Sequence, residues 1–275
     1  MNEIIQYFST IPSSHRSLIL VAGITFFWLI ENAFPLFKFE YKKWKHAGIN
    51  IFFTLTSIII NFILAFILMK VADWSAQNHF GLLHWLPKMN IWLYTLIGLL
   101  LMDFIGAYLV HLVEHKVPFL WRFHLIHHSD TWIDTTTANR HHPGESVIRF
   151  VFTTLGVLLI GTPIWMIFLY QTLSVVATQF NHANIAIPKK LDVFLSYFIV
   201  SPDMHKVHHH YVLPYTDSNY GNIFSVWDRI FGTFMTMEKE AIIYGIDTHM
   251  KPELNNKIGS LLGIPFKDKI NFKKN

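Results

Sequence analysis

Apolar positions along the chain fall into long runs rather than short alternations. Three of them, 17–34, 47–69 and 91–113, are each long enough to cross a bilayer as a helix. A fourth block, 147–180, is too long for one span and is broken at Gly161-Thr162-Pro163. Proline there removes a helical donor and disfavours helix in the residue before it. The block therefore predicts a helical hairpin, 147–160 and 163–180, that dips into the membrane and returns to its starting side. Between these runs lie a lysine-dense loop at 38–46, a Trp- and His-containing connector at 70–90, and an amphipathic or interfacial helix at 191–200. Residues 1–16 are short and mixed and lack the basic stretch and cleavage site of a signal peptide. The polar part from 201 onward predicts a cap over one end. The expectation is an all-α integral membrane helical bundle, three spans plus a membrane hairpin, with 1–275 as a single domain.

Composition agrees with that pattern. The chain is 52% hydrophobic and only 15% charged, with a mean hydropathy of +0.34, which is too apolar for an ordinary soluble domain. The net charge of +4 is mild and is better explained by basic loops on the inner side of a membrane than by nucleic-acid binding. Short loops dense in Lys and Arg stay in the cytoplasm. The four lysines of 38–46 place that loop there. The third span then delivers His111 and His115 to the cytoplasmic face, where Lys116, Arg122, Arg140, Arg149, Lys189, Lys190, Lys206 and Arg229 follow. With no cysteine, disulfides, thiolate metal sites and iron–sulfur clusters are excluded.

Histidine changes the picture most. Twelve of the 17 lie between His111 and His210. Three boxes stand out: His111-x3-His115, His124-x2-His127-His128 and His205-x2-His208-His209. At these spacings helical residues share a face, and neutral imidazole is the commonest metal ligand. His182, just past the hairpin, is a ninth candidate. One metal takes four to six ligands, so eight or nine imidazoles imply two metals. Ligand type leaves zinc, copper, iron and nickel open. No Glu-x-x-His pair of the soluble di-iron bundles occurs in the chain. Around the ligands, Asp103 is a charge placed mid-span and needs a partner, in a neighbouring helix or a ligand histidine. Glu145, Asp134, Asn184 and Asp228 are further candidates to orient ligand rings, and Arg140 and Arg229 to anchor the cap by ion pairs.

The ordered set of boxes, together with Arg140-x-His142-Pro143-x-Glu145, His182-x-Asn184, Asn219-Tyr220-Gly221 and Trp227-Asp-Arg-Ile-Phe-Gly-Thr233, resembles the fatty acid hydroxylase superfamily, which includes sterol desaturases, sterol methyl oxidases and alkylglycerol monooxygenase. The likeness runs over 103–234. It implies a membrane-embedded non-haem di-iron oxygenase that uses O2 to hydroxylate or desaturate a lipid such as a sterol, fatty acyl chain or ether lipid. It further implies His111, His115, His124, His127, His128, His182, His205, His208 and His209 as ligands to two iron ions, with His142 near them in a supporting role. Leu112 departs from the arginine the family commonly carries after its first box histidine, removing a polar contact expected there. The chain has neither a Gly-x-Gly-x-x-Gly nucleotide turn nor cysteine for a cluster. Such an enzyme needs a separate electron donor of the cytochrome b5, ferredoxin or pterin type. A reading of another class, a histidine-rich metal-binding or metal-transporting membrane protein, would place ligands along the bilayer midplane. The boxes flank the ends of spans instead.

Overall fold

A computed structural model describes residues 1–267. Among them there is no strand, only three isolated bridges, so helices carry the architecture. A short helix α1 (Asn2–Ser9) precedes α2 (Ser13–Ala33), and the long α3 (Lys43–Gln77) leads to the single turn α4 (Leu82–Trp85). Then α5 (Ile91–Asp103) runs through a π-helical segment, Phe104–Leu109, straight into α6 (Val110–Lys116), and α7 (Pro118–His128) turns away after it. The hairpin is α8 (Pro143–Ile160) and α9 (Ile164–His182). Beyond it lie α10 (Lys189–Leu195), α11 (Pro202–His208), α12 (Val226–Ile230) and two small helices, α13 (Pro252–Asn255) and α14 (Ile258–Gly263).

Four helices are long and apolar enough to cross a membrane: Ser13–Ala33, Lys43–Trp85, Ile91–Lys116 and Pro143–Ile160. Their outward faces are apolar. Phe62 on α3 is 80% exposed, and Ile58, Ile59, Ile63 and Phe66 beside it are exposed too, an apolar surface that suits contact with lipid. The second span differs from the sequence expectation in length. At about 1.5 Å per residue, α3 is far longer than the roughly 30 Å hydrocarbon layer. Its first turns leave the bilayer and bury Ala47, Ile49, Asn50 and Phe53, which a run of hydropathy cannot tell from membrane contact. The interfacial helix predicted at 191–200 is shorter, Lys189–Leu195.

Of three apolar cores among the described residues, two are large. One lies inside the bundle, where Leu68 and Ala72 of α3, Leu99 and Met102 of α5, Val157 and Ile160 of α8 and Met166 and Tyr170 of α9 pack together. The other lies under the cap, where Ile246, Leu261 and Ile264 close on Phe53, Trp121 and Leu125. The hairpin reverses at Gly161, whose left-handed φ of 75° caps α8, and Pro163 starts α9. This turn sits against Gly81, itself at φ 114°. The hairpin thus begins and ends at the cap, with its turn at the far end of both arms. Glu31, at the end of α2, pins that cap, since its carboxylate accepts from Lys43 Nζ at 3.3 Å and from the backbone N–H groups of Thr135 and Asn184, each at 3.1 Å. A Cβ at Gly161 would meet the His84 ring and Phe80 O at 2.6 and 2.8 Å, and left-handed backbone costs a non-glycine residue about 1–2 kcal/mol on its own. Gly161→Ala is therefore expected to lower thermal stability in detergent by at least that amount, whereas Gly48→Ala, where a Cβ meets nothing within 4 Å, should not.

Candidate metal centre

Four helices end at the cap, and each delivers histidine. The α6 pair, His111 and His115, sits one turn apart on the inner face. On α7, His124, His127 and His128 are buried at the last two turns, and Pro118 at the first turn starts that helix where a missing N–H costs nothing. His182 ends α9, and His205 and His208 lie on α11 with His209 at its cap. The Ser201 hydroxyl opens α11 by accepting from Met204 N–H at 3.4 Å.

The nine histidines assemble into two neighbouring groups. His111, His115, His124, His128 and His208 form one, and His127, His182, His205 and His209 the other, with candidate ligand atoms of each group within 4.8 Å of one another. Each three-histidine box is divided. The i, i+4 pair of a box faces one group while its third member faces the other: His124 and His128 against His127, and His205 and His209 against His208. One short helix thereby serves both groups. All nine are at most 7% exposed.

The donor atoms fit a metal. In the four-histidine group the Nε2–Nε2 separations are 3.1 Å (His127–His182), 3.1 Å (His182–His205), 3.3 Å (His182–His209) and 3.3 Å (His205–His209). A regular tetrahedron with edges of about 3.2 Å has its centre about 2.0 Å from each corner, the length of a metal–imidazole bond, and these four of the six edges meet that spacing. In the five-histidine group His111 Nε2 and His124 Nε2 are 3.1 Å apart. His111 Nδ1–H donates to Tyr220 O at 2.9 Å and His124 Nδ1–H to Glu145 Oε1 at 2.7 Å. Their facing Nε2 atoms are then both lone pairs, which cannot bond to each other. A cation between them resolves the conflict.

Outward hydrogen bonds fix this arrangement. His115 Nδ1–H donates to Asp217 at 3.2 Å, His208 to Ser218 O at 2.6 Å, and His182 to Thr178 O at 2.8 Å and Asn181 Oδ1 at 2.7 Å. Such bonds select the tautomer and aim the other nitrogen inward. Burial, and then the neighbouring imidazoles, hold His127, His128, His205 and His209 well below the ordinary histidine range. His124 is pushed down by burial to about 4 although Glu145 opposes the shift. The cluster is accordingly neutral at pH 7, the form that binds metal. Lys206, buried between two of these histidines in sequence, is pushed down by burial to about 8 and donates to Ala183 O at 2.7 Å.

The predicted supporting residues divide by what they touch. Glu145 meets a candidate ligand directly, accepting from His124. Asp103 and Asp228 clamp the loop that His111 reaches. Asp103 accepts from Ile223 and Phe224 N–H at 3.2 and 3.1 Å, and Asp228 from Tyr220 and Gly221 N–H at 2.7 and 2.9 Å. The π-helical segment between Asp103 and His111 lets both face this loop. The other three hold backbone. Arg140 donates to Ile126 O, Asn50 Oδ1 and Asn255 O at 3.0, 3.1 and 2.8 Å, and its nearest carboxylate, Asp130, is 3.9 Å away. His142 caps α8 by accepting from Gly144 N–H at 2.9 Å. Asn184 brackets Phe37 by bonds of 3.0 and 2.8 Å. Asp134 pairs with His46 and Tyr41, and Arg229 stacks on Phe234 and donates to Ser196 O instead of forming an ion pair. Sequence reasoning passed over Asp217, the Tyr220 and Ser218 carbonyls, and the trio Glu114–Arg149–Glu145, in which Arg149 bonds Glu114 at 2.6 Å and Glu145 at 2.9 Å. Carbonyl partners have no side-chain signature, but Asp217 and Glu114 were visible as acids beside boxes.

A polytopic helical protein with an all-nitrogen double histidine centre at one end of its bundle is the class that fold and site define. Residues 95–233 match the fatty acid hydroxylase family model, and the chain belongs to that family. It is 27% identical over 161 residues to the ornithine lipid hydroxylase OlsE of Rhizobium tropici, covering 58% of this chain and 46% of the relative. It is 30% identical over 217 residues to the alkylglycerol monooxygenase of Danio rerio, covering 74% and 44%, and 24% identical over 223 residues to methylsterol monooxygenase 2-2 of Arabidopsis thaliana, covering 80% and 82%. The chain thus spans about half the length of the first two. No solved structure matches it.

Two outcomes follow for the centre. Asp217→Ala removes the carboxylate behind His115, and metal affinity measured by chelator competition is expected to fall about 10–100-fold; unchanged affinity would mean that Asp217 does not aim His115. Histidines whose folded pKa is depressed bind protons more readily when unfolded, so they remove stability as pH falls below the unfolded value of about 6.5. For His124 the loss continues down to about 4. The metal-free protein should melt at steadily lower temperature as pH falls across that window.

Proposed function

We propose that this chain is a membrane-bound non-haem di-iron oxygenase that uses O2 to hydroxylate a lipid. The observation that carries this reading is the pair of adjacent histidine groups, five and four strong, buried at the bilayer end of Ile91–Lys116. Two oxidisable metals side by side in an all-imidazole site suit activation of O2 and abstraction of an unactivated hydrogen, which is the chemistry iron would supply there. The residues of this chain do the rest. His111, His115, His124, His128 and His208 would hold one iron, and His127, His182, His205 and His209 the other. Glu145, Asp217 and the loop carbonyls keep those rings from turning, and burial excludes water that would quench a reactive centre. The position of the groups at the end of a span, away from the midplane, suits a lipid whose polar head stays at the surface, and it argues against a transport pathway.

The relatives support a lipid substrate, being an ornithine lipid hydroxylase, an alkylglycerol monooxygenase and a methylsterol monooxygenase. The centre is assigned to the cytoplasmic face on the basis of the lysine-dense 38–46 loop, which lies at the same end. Reducing equivalents would come from a separate donor of cytochrome b5, ferredoxin or pterin type, and residues 1–275 act as one unit with the catalytic region at 103–234. Purified under iron-replete conditions, the protein is expected to carry about two irons per chain. His127→Ala should abolish the product found by comparing lipids of a deletion strain with its parent. Less than half an equivalent of metal would contradict the proposal. A reporter fused after Asn275 should be cytoplasmic, and an external signal would reverse the orientation.

A further inference from the structure

The nine buried histidines leave open how a hydrated ion reaches them. One further histidine lies against both groups. His141, in the segment leading into α8, stacks on His127 with ring centroids 4.8 Å apart and planes 19° apart, and lies parallel to His124 at 6.4 Å and 15°. Its side chain is 16% exposed, whereas Glu145 beside it is fully buried. His141 Nδ1 and His124 Nδ1 both donate to the same oxygen, Glu145 Oε1, at 2.8 and 2.7 Å, and Glu145 Oε2 is buried without a partner. His124, His141 and Glu145 therefore bring three potential ligand atoms within 4.8 Å of one another.

We propose that His141, Glu145 and the Nδ1 side of His124 form a loading site for a divalent metal ion, occupied in passage to the two buried groups and vacated once they fill. The proposal rests on the reading that those groups hold metal. Its logic is the single lone pair of a neutral imidazole. His124 can offer Nδ1 to the outer site or Nε2 to the five-histidine group, but not both at once. Filling the inner group commits Nε2, returns the proton to Nδ1, and restores the bond to Glu145. Arg149 Nε, 2.9 Å from the same Glu145 oxygen, adds a positive charge that disfavours a resident dication. Partly exposed His141 is where an ion can first exchange water for nitrogen. Its ring also stacks on His127 of the second group.

The test uses the full chain, stripped of metal in detergent, with Co(II) as the probe and its visible absorption followed by stopped flow. The wild type is expected to take up about two equivalents, with a fast first phase. His141→Phe keeps an aromatic ring over His127 without a lone pair, and is expected to reach the same end point about tenfold or more slowly, without the fast phase. His141→Gln gives the same comparison should the phenylalanine variant not fold. His141→Asp restores a ligand and should recover the rate. Loading at the wild-type rate in His141→Phe or His141→Gln would overturn the proposal, as would a His141→Asp variant as slow as they are. An end point one equivalent lower would overturn it too, by making His141 a resident ligand. A wild-type chain that binds no cobalt would defeat the underlying metal assignment instead.

Discussion

Neutral imidazoles brought face to face, lone pair against lone pair, are the constraint on which this structure turns. His111 and His124, each with its Nδ1–H bonded outward, present bare Nε2 atoms to each other at 3.1 Å, and His182 Nε2 lies 3.1 to 3.3 Å from the Nε2 atoms of three other histidines. Such contacts are unfavourable without a cation at the centre. Burial makes the alternative, protonation, unfavourable as well, because an imidazolium loses its hydration there. The elements that carry the histidines are pinned from behind. Glu31 ties the end of α2 to the loops at 135 and 184, Arg140 ties the end of α7 to α3 and the C-terminal part, and Asp103 and Asp228 clamp the loop at 220–224.

These tethers explain why so many charges sit in a chain of low overall charge. Asp130 illustrates the balance. Burial would raise its pKa, but the His46 charge and Arg140 outweigh that and hold it below the usual carboxylate range. A buried charge so compensated fixes backbone rather than chemistry. Glu145 and Glu114 sit differently. Each keeps one carboxylate oxygen buried without a partner, and both bond Arg149 and lie beside His124.

Much of this was legible before any coordinates. Long apolar runs, the proline break at Pro163 and the spacing of the three boxes lead directly to the hairpin and to the set of histidines brought together. What spacing could not reveal is how each box divides. An HxxHH motif reads as one face, yet His127 and His208 point to different groups from their box mates, because two short helices must each serve both. The π-helical segment at Phe104–Leu109 leaves no mark in hydropathy, so the shared loop of Asp103 and His111 was out of reach. Arg140, His142 and Asn184 belong to the motif but bind backbone, since a buried loop must satisfy its own amides before it can orient a ligand. His141, flanked by two motif residues, has no spacing that marks it, and only the fold stacks its ring on His127.

The central claim is that two unequal, nitrogen-only groups each hold one metal. Mössbauer spectroscopy of the protein reconstituted with iron-57 tests it most directly. Two quadrupole doublets of equal area are predicted, one for the five-histidine group and one for the four-histidine group. A single doublet from one iron per chain, or spectra dominated by oxygen ligation, would contradict the account.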